Sequence, residues 1–207
     1  MAEFLFKWQT LIGGILGGIF ALLAALVVAS NVRRREEVAS GMVVIANLVK
    51  VRTTSEALDH IAKDEEVQDA DYSGWFSEKL VSSHPSLSVL FESSLSRIMP
   101  VDVCMAAHLS LFHEIYSRIE IILKRLSRDF EYFHEYRRPL RPREHLRSDA
   151  DVVTRHFQRA VRHASCAEDL ISKLILSKFS FLHRLRRHIW MTREEKECLR
   201  VLREGNI

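Results

Sequence analysis

An unbroken apolar stretch opens the chain. From Leu11 to Ala29 the sequence has no charged residue and no helix breaker other than glycine. As a helix these residues would rise about 28 Å, close to the hydrocarbon thickness of a bilayer. A helix of a soluble core would show a polar face, and this stretch has none. The pattern therefore predicts a transmembrane helix over about residues 9–30, within an anchor of residues 1–35.

Weaker patterns follow in a helical connector, residues 36–99. Apolar residues recur at helical spacing after the anchor, so its helix should continue toward the connector. Thr53 and Glu56 then have the spacing of a capping box and predict a new helix. Acidic residues crowd the next stretch, so we expect an acidic loop over residues 64–74. Helical spacing returns in the segment before Pro100.

Two apolar seams dominate residues 100–191. The first runs from Met105 to Phe133, with steps of four and three positions over about four heptads. The second begins at Val153, keeps the same steps and has small residues in its middle. A turn with two prolines, residues 137–147, separates the seams. The two helices should therefore form a long antiparallel hairpin.

A short C-terminal helix over residues 192–207 completes the pattern, because Thr192 and Glu195 have the spacing of a capping box. Composition agrees with a helical chain, since 207 residues include only seven glycines and four prolines. We therefore assign the chain to the all-α class. The predicted architecture is one N-terminal transmembrane helix followed by a helical bundle with the long antiparallel hairpin.

Net charge is concentrated beside the predicted span. The chain carries +3, but residues 36–207 contain 26 basic and 26 acidic residues. This balance gives no argument for nucleic acid as a partner. Arg33, Arg34 and Arg35 follow the span, and basic residues beside a span are retained in the cytoplasm. We therefore expect the N-terminus outside and the C-terminal domain in the cytoplasm.

Small residues form stripes on the predicted span. They recur every four positions, a spacing at which another transmembrane helix can approach closely. We expect homodimerisation in the membrane, with packing through Gly13, Gly14, Gly17, Gly18, Ala21 and Ala25. The alternative is that these residues face only lipid.

The opening KWQTLIGGILGGIFALLAALVVASNVRRREE resembles the N-terminus of small single-pass membrane proteins predicted in proteobacterial genomes. The resemblance covers about residues 1–35, and the proteins with this WQTLIGG-type anchor have no assigned function. It implies a bacterial inner-membrane location and no activity. A cleaved export signal is the alternative, but such a signal has a shorter apolar core and a basic leading segment. Three cysteines without a disulfide spacing fit a reducing compartment.

Cysteine and histidine supply the candidate chemistry. Cys104 and His108 lie one helical turn apart. His163 and Cys166 form a second pair, and two such pairs could supply the four ligands of a zinc site. With the hairpin closed at the predicted turn, however, the pairs would lie about 20 Å or more apart along its axis. The same register brings His183 near Cys104 and His108 as a candidate metal or nucleophile cluster.

Neither cluster is the expected outcome. A cysteine at the edge of a seam is usually a small buried residue, so we expect no metal, no cofactor and no catalytic residue. The chain also lacks a glycine-rich phosphate loop and the common metalloprotease and hydrolase motifs.

Arginines crowd the predicted turn and a second stretch near the C-terminus. Such clusters can contact anionic lipid headgroups. The alternative is that exposed turns and helix ends collect arginine for solubility. The candidate lipid contacts are Arg137, Arg138, Arg141, Arg143, Arg147, Arg184, Arg186 and Arg187.

Three functional hypotheses follow. We favour a membrane-tethered, non-enzymatic helical interaction or scaffold protein that associates with itself. The second hypothesis is a membrane-bound enzyme or metal-binding protein that uses Cys104, His108 and His183. The third is a periplasmic-facing coiled coil of the cell envelope or of phage lysis, which requires the opposite orientation.

Overall fold

The structure is a computed structural model that describes residues 2–177, 182–183, 185–186 and 191–204. All regular structure in these ranges is helical, which confirms the all-α prediction. The chain divides into two compact units, residues 1–39 and residues 40–207.

Helix α1 spans Ala2–Asp64 and contributes residues to both units. Its most apolar window has a mean hydropathy of 2.3 and none of that window is buried, so the helix is long and apolar enough to cross a membrane. The predicted new helix at Thr53 is wrong. Thr53 Oγ1 donates to the carbonyl oxygens of Val49 and Lys50, at 2.9 and 3.1 Å, inside a continuous helix.

Helix α2 spans Asp69–Ser83, so the acidic loop predicted over residues 64–74 is too long. Residues 65–68 alone separate α1 from α2. Asp69 and Asp71 lie in the first turn of α2, where the positive end of the helix dipole favours carboxylates. The acidic run therefore starts a helix and does not form a loop.

The predicted antiparallel hairpin is confirmed. It consists of α4, Val103–Tyr136, and α5, Arg143–Ile171. Helix α3, Phe91–Ile98, and a 3-10 turn at Met99–Val101 lead into it. By length, α4 rises about 50 Å, which makes the hairpin the longest packed element of its unit.

The connection between α4 and α5 is shorter than the predicted turn over residues 137–147. Arg137 ends α4 in the left-handed conformation, at φ 54°. Helix α5 then begins at Arg143 and not near Ser148, with Pro142 immediately before it. Proline suits this place, because its ring presets a helical φ and the first N–H groups of a helix need no partner within the helix.

The two seams form the core of the second unit. Residues of α4 with 0% exposure are Met105, Leu109, Phe112, Tyr116 and Ile119. Residues of α5 with 0% exposure are Val153, Phe157, Ala160, Ala164 and Ala167. Phe76 of α2 packs edge-on against Phe157, with ring centroids 5.7 Å apart, so α2 covers the hairpin along α5.

The second half of α1 is tied to this core at three heights. A Cβ atom added at Gly41 would lie 3.1 Å from Ile175, so the glycine permits a close approach. Asn47 accepts a hydrogen bond from the Ser88 N–H, at 2.8 Å. Near the middle of α5, Arg52 forms an ion pair with Glu168 at 3.2 Å.

A π-helical turn, Ser172–Leu176, follows α5, and a C-terminal helix, α6, spans Arg193–Glu204. The predicted capping box of α6 is confirmed. The Thr192 N–H donates to Glu195 Oε2 at 2.7 Å, and the Glu195 N–H donates to Thr192 Oγ1 at 3.3 Å. Lys173 Nζ lies 2.6 Å from Glu194 Oε2 and links the π-helical turn to α6.

Candidate functional site

Two imidazoles meet inside the hairpin. His108 of α4 is 0% exposed and His163 of α5 is 2% exposed. Their Nδ1 atoms lie 3.0 Å apart, so one imidazole donates a proton to the other. The prediction that these two helical segments lie about 20 Å apart along the hairpin is therefore wrong.

The error lies in the register of the hairpin. Arg141 Nε binds Asp129 Oδ2 at 2.9 Å, so the connection folds back along the last turns of α4. Helix α5 also begins earlier than predicted. Together these two features move α5 along α4 by about four turns, which brings His163 to His108.

A third helix completes the cluster. Cys166 lies three positions after His163 on α5 and shares its face. Cys198 of α6 is 6% exposed and approaches the same place. One ligand atom each of His108, Cys166 and Cys198 lie within 4.8 Å of one another. We call His108, His163, Cys166 and Cys198 the thiol–imidazole cluster.

Burial keeps the cluster neutral. The pKa of the Cys166 thiol is raised, first because the thiol hydrogen-bonds with Cys198 and then because burial disfavours the thiolate. The pKa of His163 is lowered, chiefly by burial and also by the positive charge of Arg159. All three cysteines of the chain are reduced thiols. The cluster therefore presents protonated thiols and neutral imidazoles, which release or accept protons when a cation binds.

The residues named from sequence are only partly brought together. Cys104 is half-buried and lies near enough to Cys166 for its charge to affect the pKa of that thiol. In the described part of the chain, the metal-competent group around His108 contains Cys166 and Cys198 and does not include His183. Sequence reasoning missed Cys198 because its helix is separate from the hairpin and no spacing relates it to the other ligands.

An apolar cavity of about 650 Å³ adjoins the cluster. It lies between the start of α4, the end of α5 and the exposed side of α6. Residues that line it include Val103, Cys104, Leu174, Met191, Leu199 and Leu202. Cys104 thus faces a space large enough for a small apolar ligand.

In the first unit, the small residues of the predicted packing stripes lie on exposed helix surface. The described members are Gly14, Gly17, Gly18, Ala21 and Ala25. A Cβ atom at any of these three glycines would meet no atom within 4 Å. The surroundings of Gly13 lie outside the described side chains. Packing of the stripes against another helix stays a prediction.

The arginines named for topology also lie on exposed surface of the first unit. Arg33 forms an ion pair with Glu37 at 3.1 Å, one turn away. Arg34 and Arg35 are exposed.

The arginines named as lipid contacts have different surroundings. Arg141 is 25% exposed and is bound to two carboxylates, those of Asp129 and Asp149. Arg186 forms an ion pair with Glu195 at 3.2 Å. Residues that remain exposed are Arg137, Arg138, Arg143 and Arg147. Arg184 and Arg187 lie outside the described residues, and contact with lipid stays a prediction for the whole set.

Comparison of the chain with protein-family models, curated proteins and solved structures finds no match. The resemblance of the anchor to proteobacterial membrane proteins therefore stays a prediction, and the function is argued from the chain's own residues.

Proposed function

We propose that this chain is a single-pass membrane protein that tethers a non-enzymatic helical interaction module to a bacterial inner membrane. One observation carries the proposal: the large apolar side chains of the first unit are exposed along α1. Phe20 is 67% exposed, and Leu22 and Val28 are each 62% exposed. Water disfavours such a surface, whereas the hydrocarbon of a bilayer accommodates it.

The proposed orientation has the N-terminus outside and the second unit in the cytoplasm. Arg33, Arg34 and Arg35 support this orientation, because a basic cluster that follows a span is retained on the cytoplasmic side. Three reduced thiols in the second unit suit that compartment as well.

Self-association in the membrane is the second part of the proposal. The open surface at Gly14, Gly17 and Gly18 supports it, because a second helix can approach a stripe of glycines without displacing any side chain. The second unit adds exposed apolar residues of its own, with Val89 97% and Val103 87% exposed. An interaction module is expected to offer such contacts to a partner.

Membrane attachment is tested by alkaline extraction of membranes that contain the full chain. We expect the chain to stay in the membrane pellet, and release into the supernatant would overturn the tether. Orientation is tested by fusing to the C-terminus a reporter that is active only in the periplasm, alongside one that is active only in the cytoplasm. Periplasmic activity would overturn the proposed orientation and favour the envelope or lysis hypothesis.

Arginine replacement is a control for the orientation experiment. Replacing Arg33, Arg34 and Arg35 by glutamate should reduce the cytoplasmic reporter signal, because the retained charge is lost. Replacing Arg137 and Arg138 by glutamate, which changes two exposed charges far along the chain, should leave the signal unchanged.

A membrane-bound metal-binding protein is the second candidate function. It is favoured by the convergence of thiols and imidazoles from α4, α5 and α6 on one buried point. The cavity beside Cys104 also suits an enzyme that binds a small ligand, although no described residue there is activated as a nucleophile by a charged partner. Metal binding is therefore the stronger of these two alternatives to a pure interaction module.

A further inference from the structure

We propose that the thiol–imidazole cluster is a tetrahedral site for a thiophilic divalent metal ion, Zn²⁺ foremost, which fastens α6 to the hairpin. The ligands are His108, His163, Cys166 and Cys198. The proposal concerns residues of the second unit alone and does not depend on membrane attachment.

The donor set selects the metal. Two thiolates and two imidazoles in tetrahedral arrangement are typical of Zn²⁺ sites, whereas Mg²⁺ and Ca²⁺ prefer oxygen ligands. Loss of one proton from each of Cys166 and Cys198 supplies two negative charges, which balance the two positive charges of Zn²⁺. A loaded site would then be neutral, so the metal could lie in a buried place without an uncompensated charge.

Distances in the cluster are close to those that a tetrahedral ion requires. Zn–S bonds of about 2.3 Å and Zn–N bonds of about 2.0 Å place neighbouring ligand atoms roughly 3.3 to 3.8 Å apart. The ligand atoms of His108, Cys166 and Cys198 lie within 4.8 Å of one another. The Nδ1 atoms of His108 and His163 are 3.0 Å apart. Small rotations of four side chains therefore suffice to complete the site.

His163 is the favoured fourth ligand. Its Nδ1 atom already points at the Nδ1 atom of His108, and it shares one helix face with Cys166. Cys104 is the competing fourth ligand, since it lies one turn before His108 on α4. Cys104 also borders the apolar cavity, which is the side of the cluster away from a closed coordination sphere.

Fastening α6 is the structural consequence. Helix α6 has 12 residues, a length at which a helix in water is marginal without packing. The described contacts that hold it include Lys173 with Glu194 and the capping box of Thr192 and Glu195. A metal that binds Cys198 together with ligands of α4 and α5 would link three helices at one point. Such a link contributes directly to the folding free energy.

The first test uses Co²⁺ as a spectroscopic substitute for Zn²⁺ in the full chain, purified in detergent under reducing conditions. We expect one equivalent of Co²⁺ to bind, with the absorption bands of a tetrahedral ion and a thiolate charge-transfer band. Zn²⁺ should displace the Co²⁺. Absence of the charge-transfer band in the folded chain would overturn the proposal.

Matched variants identify the ligands. Cys166→Ser and Cys198→Ser should each weaken Zn²⁺ binding by more than about tenfold, and His163→Gln should do so too. Cys104→Ser is the control, because it removes a neighbouring thiol without removing a proposed ligand; its affinity should stay within about twofold of the unaltered chain. Equal affinity in all four variants would indicate adventitious binding and contradict the site.

A measurement on the unaltered chain covers the case in which a variant fails to fold. Alkylation of the thiols, followed by mass-spectrometric mapping, gives the reactivity of each cysteine with and without Zn²⁺. Zn²⁺ should protect Cys166 and Cys198 and leave the reactivity of Cys104 unchanged. Protection of no cysteine, or of Cys104 to the same degree as the other two, would overturn the assigned ligand set.

Discussion

Asp129 and Arg141 are joined by parallel contacts across the end of the hairpin. Arg141 Nε lies 3.1 Å from Oδ1 and 2.9 Å from Oδ2 of Asp129. The Asp129 side chain is only 3% exposed and the Arg141 side chain 25% exposed. Because the pair ties the connection to α4, it determines how far α5 slides along α4 and therefore which residues of the two helices meet.

Asp129→Asn should destabilise the second unit by about 2–4 kcal/mol, because it leaves the half-buried guanidinium of Arg141 with a weaker partner. The measurement is the free energy of unfolding by denaturant in detergent. Glu114→Gln is the matched control, since Glu114 and Arg118 are both more than half exposed. That change should cost less than about 0.5 kcal/mol. Equal losses in the two variants would contradict a special role for the buried pair.

Alanine at two glycines should have opposite effects. Gly74 lies within α2, and a Cβ atom there would meet nothing within 4 Å, so Gly74→Ala should stabilise by about 0.5–1 kcal/mol. At Gly41 the added Cβ atom would lie 3.1 Å from Ile175 and 3.3 Å from Ile171. Gly41→Ala should therefore stabilise less than Gly74→Ala or destabilise, and Gly41→Val should destabilise by about 1–3 kcal/mol.

Thermal unfolding of the three variants checks this ordering. If Gly41→Val unfolds at the same temperature as the unaltered chain, α1 does not approach the end of α5 as closely as the structure indicates.

Asn47 should control the mobility of the segment before α3. Its Oδ1 atom accepts from the Ser88 N–H at 2.8 Å, and its Nδ2 atom donates to Val43 O at 2.7 Å. Asn47→Ala removes the acceptor and leaves the Ser88 N–H without this bond, a loss of about 1–3 kcal/mol. Hydrogen exchange should become faster in peptides that cover residues 84–90. Unchanged exchange there would contradict the role of Asn47.

Acid should weaken the fold through His84. Burial lowers the pKa of this imidazole; Lys50 and Lys124 lower it further, whereas Glu120 opposes them. An unfolded histidine titrates near about pH 6.5. Above that pH both states are neutral, so stability is unaffected. Below it the unfolded chain binds a proton that the folded chain does not, so the free energy of unfolding decreases as the pH falls.

The test is His84→Phe, which keeps a ring for the stacking on Tyr116, where the centroids are 5.2 Å apart. Its melting temperature should fall less between about pH 7 and pH 5 than that of the unaltered chain. Some slope should remain, because the pKa values of His156 and His163 are lowered in the same way. Parallel curves for the variant and the unaltered chain would contradict the assignment.

Patterns in the sequence were sufficient for the elements and for their buried faces. The seam residues Leu109 and Phe157 are buried as their spacing predicts. The capping box of Thr192 and Glu195 marks the start of α6 because both of its bonds are local. Local rules were misleading at Thr53, where a helix that is already formed overrides a capping signal.

The register of the hairpin could not be predicted from the same patterns. A repeat of three and four positions defines the face of a helix but is satisfied by any shift of about one heptad along the partner. The contact of Arg141 with Asp129 selects one of these shifts, and it involves a residue outside both seams. For this reason the meeting of His108, Cys166 and Cys198 was not apparent from the chain alone.

The backward fold of residues 137–142 has a practical consequence. Leu140 and Tyr136 are each about half exposed, at 52% and 51%, beside the exposed Arg137 and Arg138. A fluorescent domain inserted between Arg138 and Pro139 would therefore leave both seams and the ion pair of Arg141 in place. The hairpin tip is thus a natural point at which to label the protein in living cells without cutting into its core.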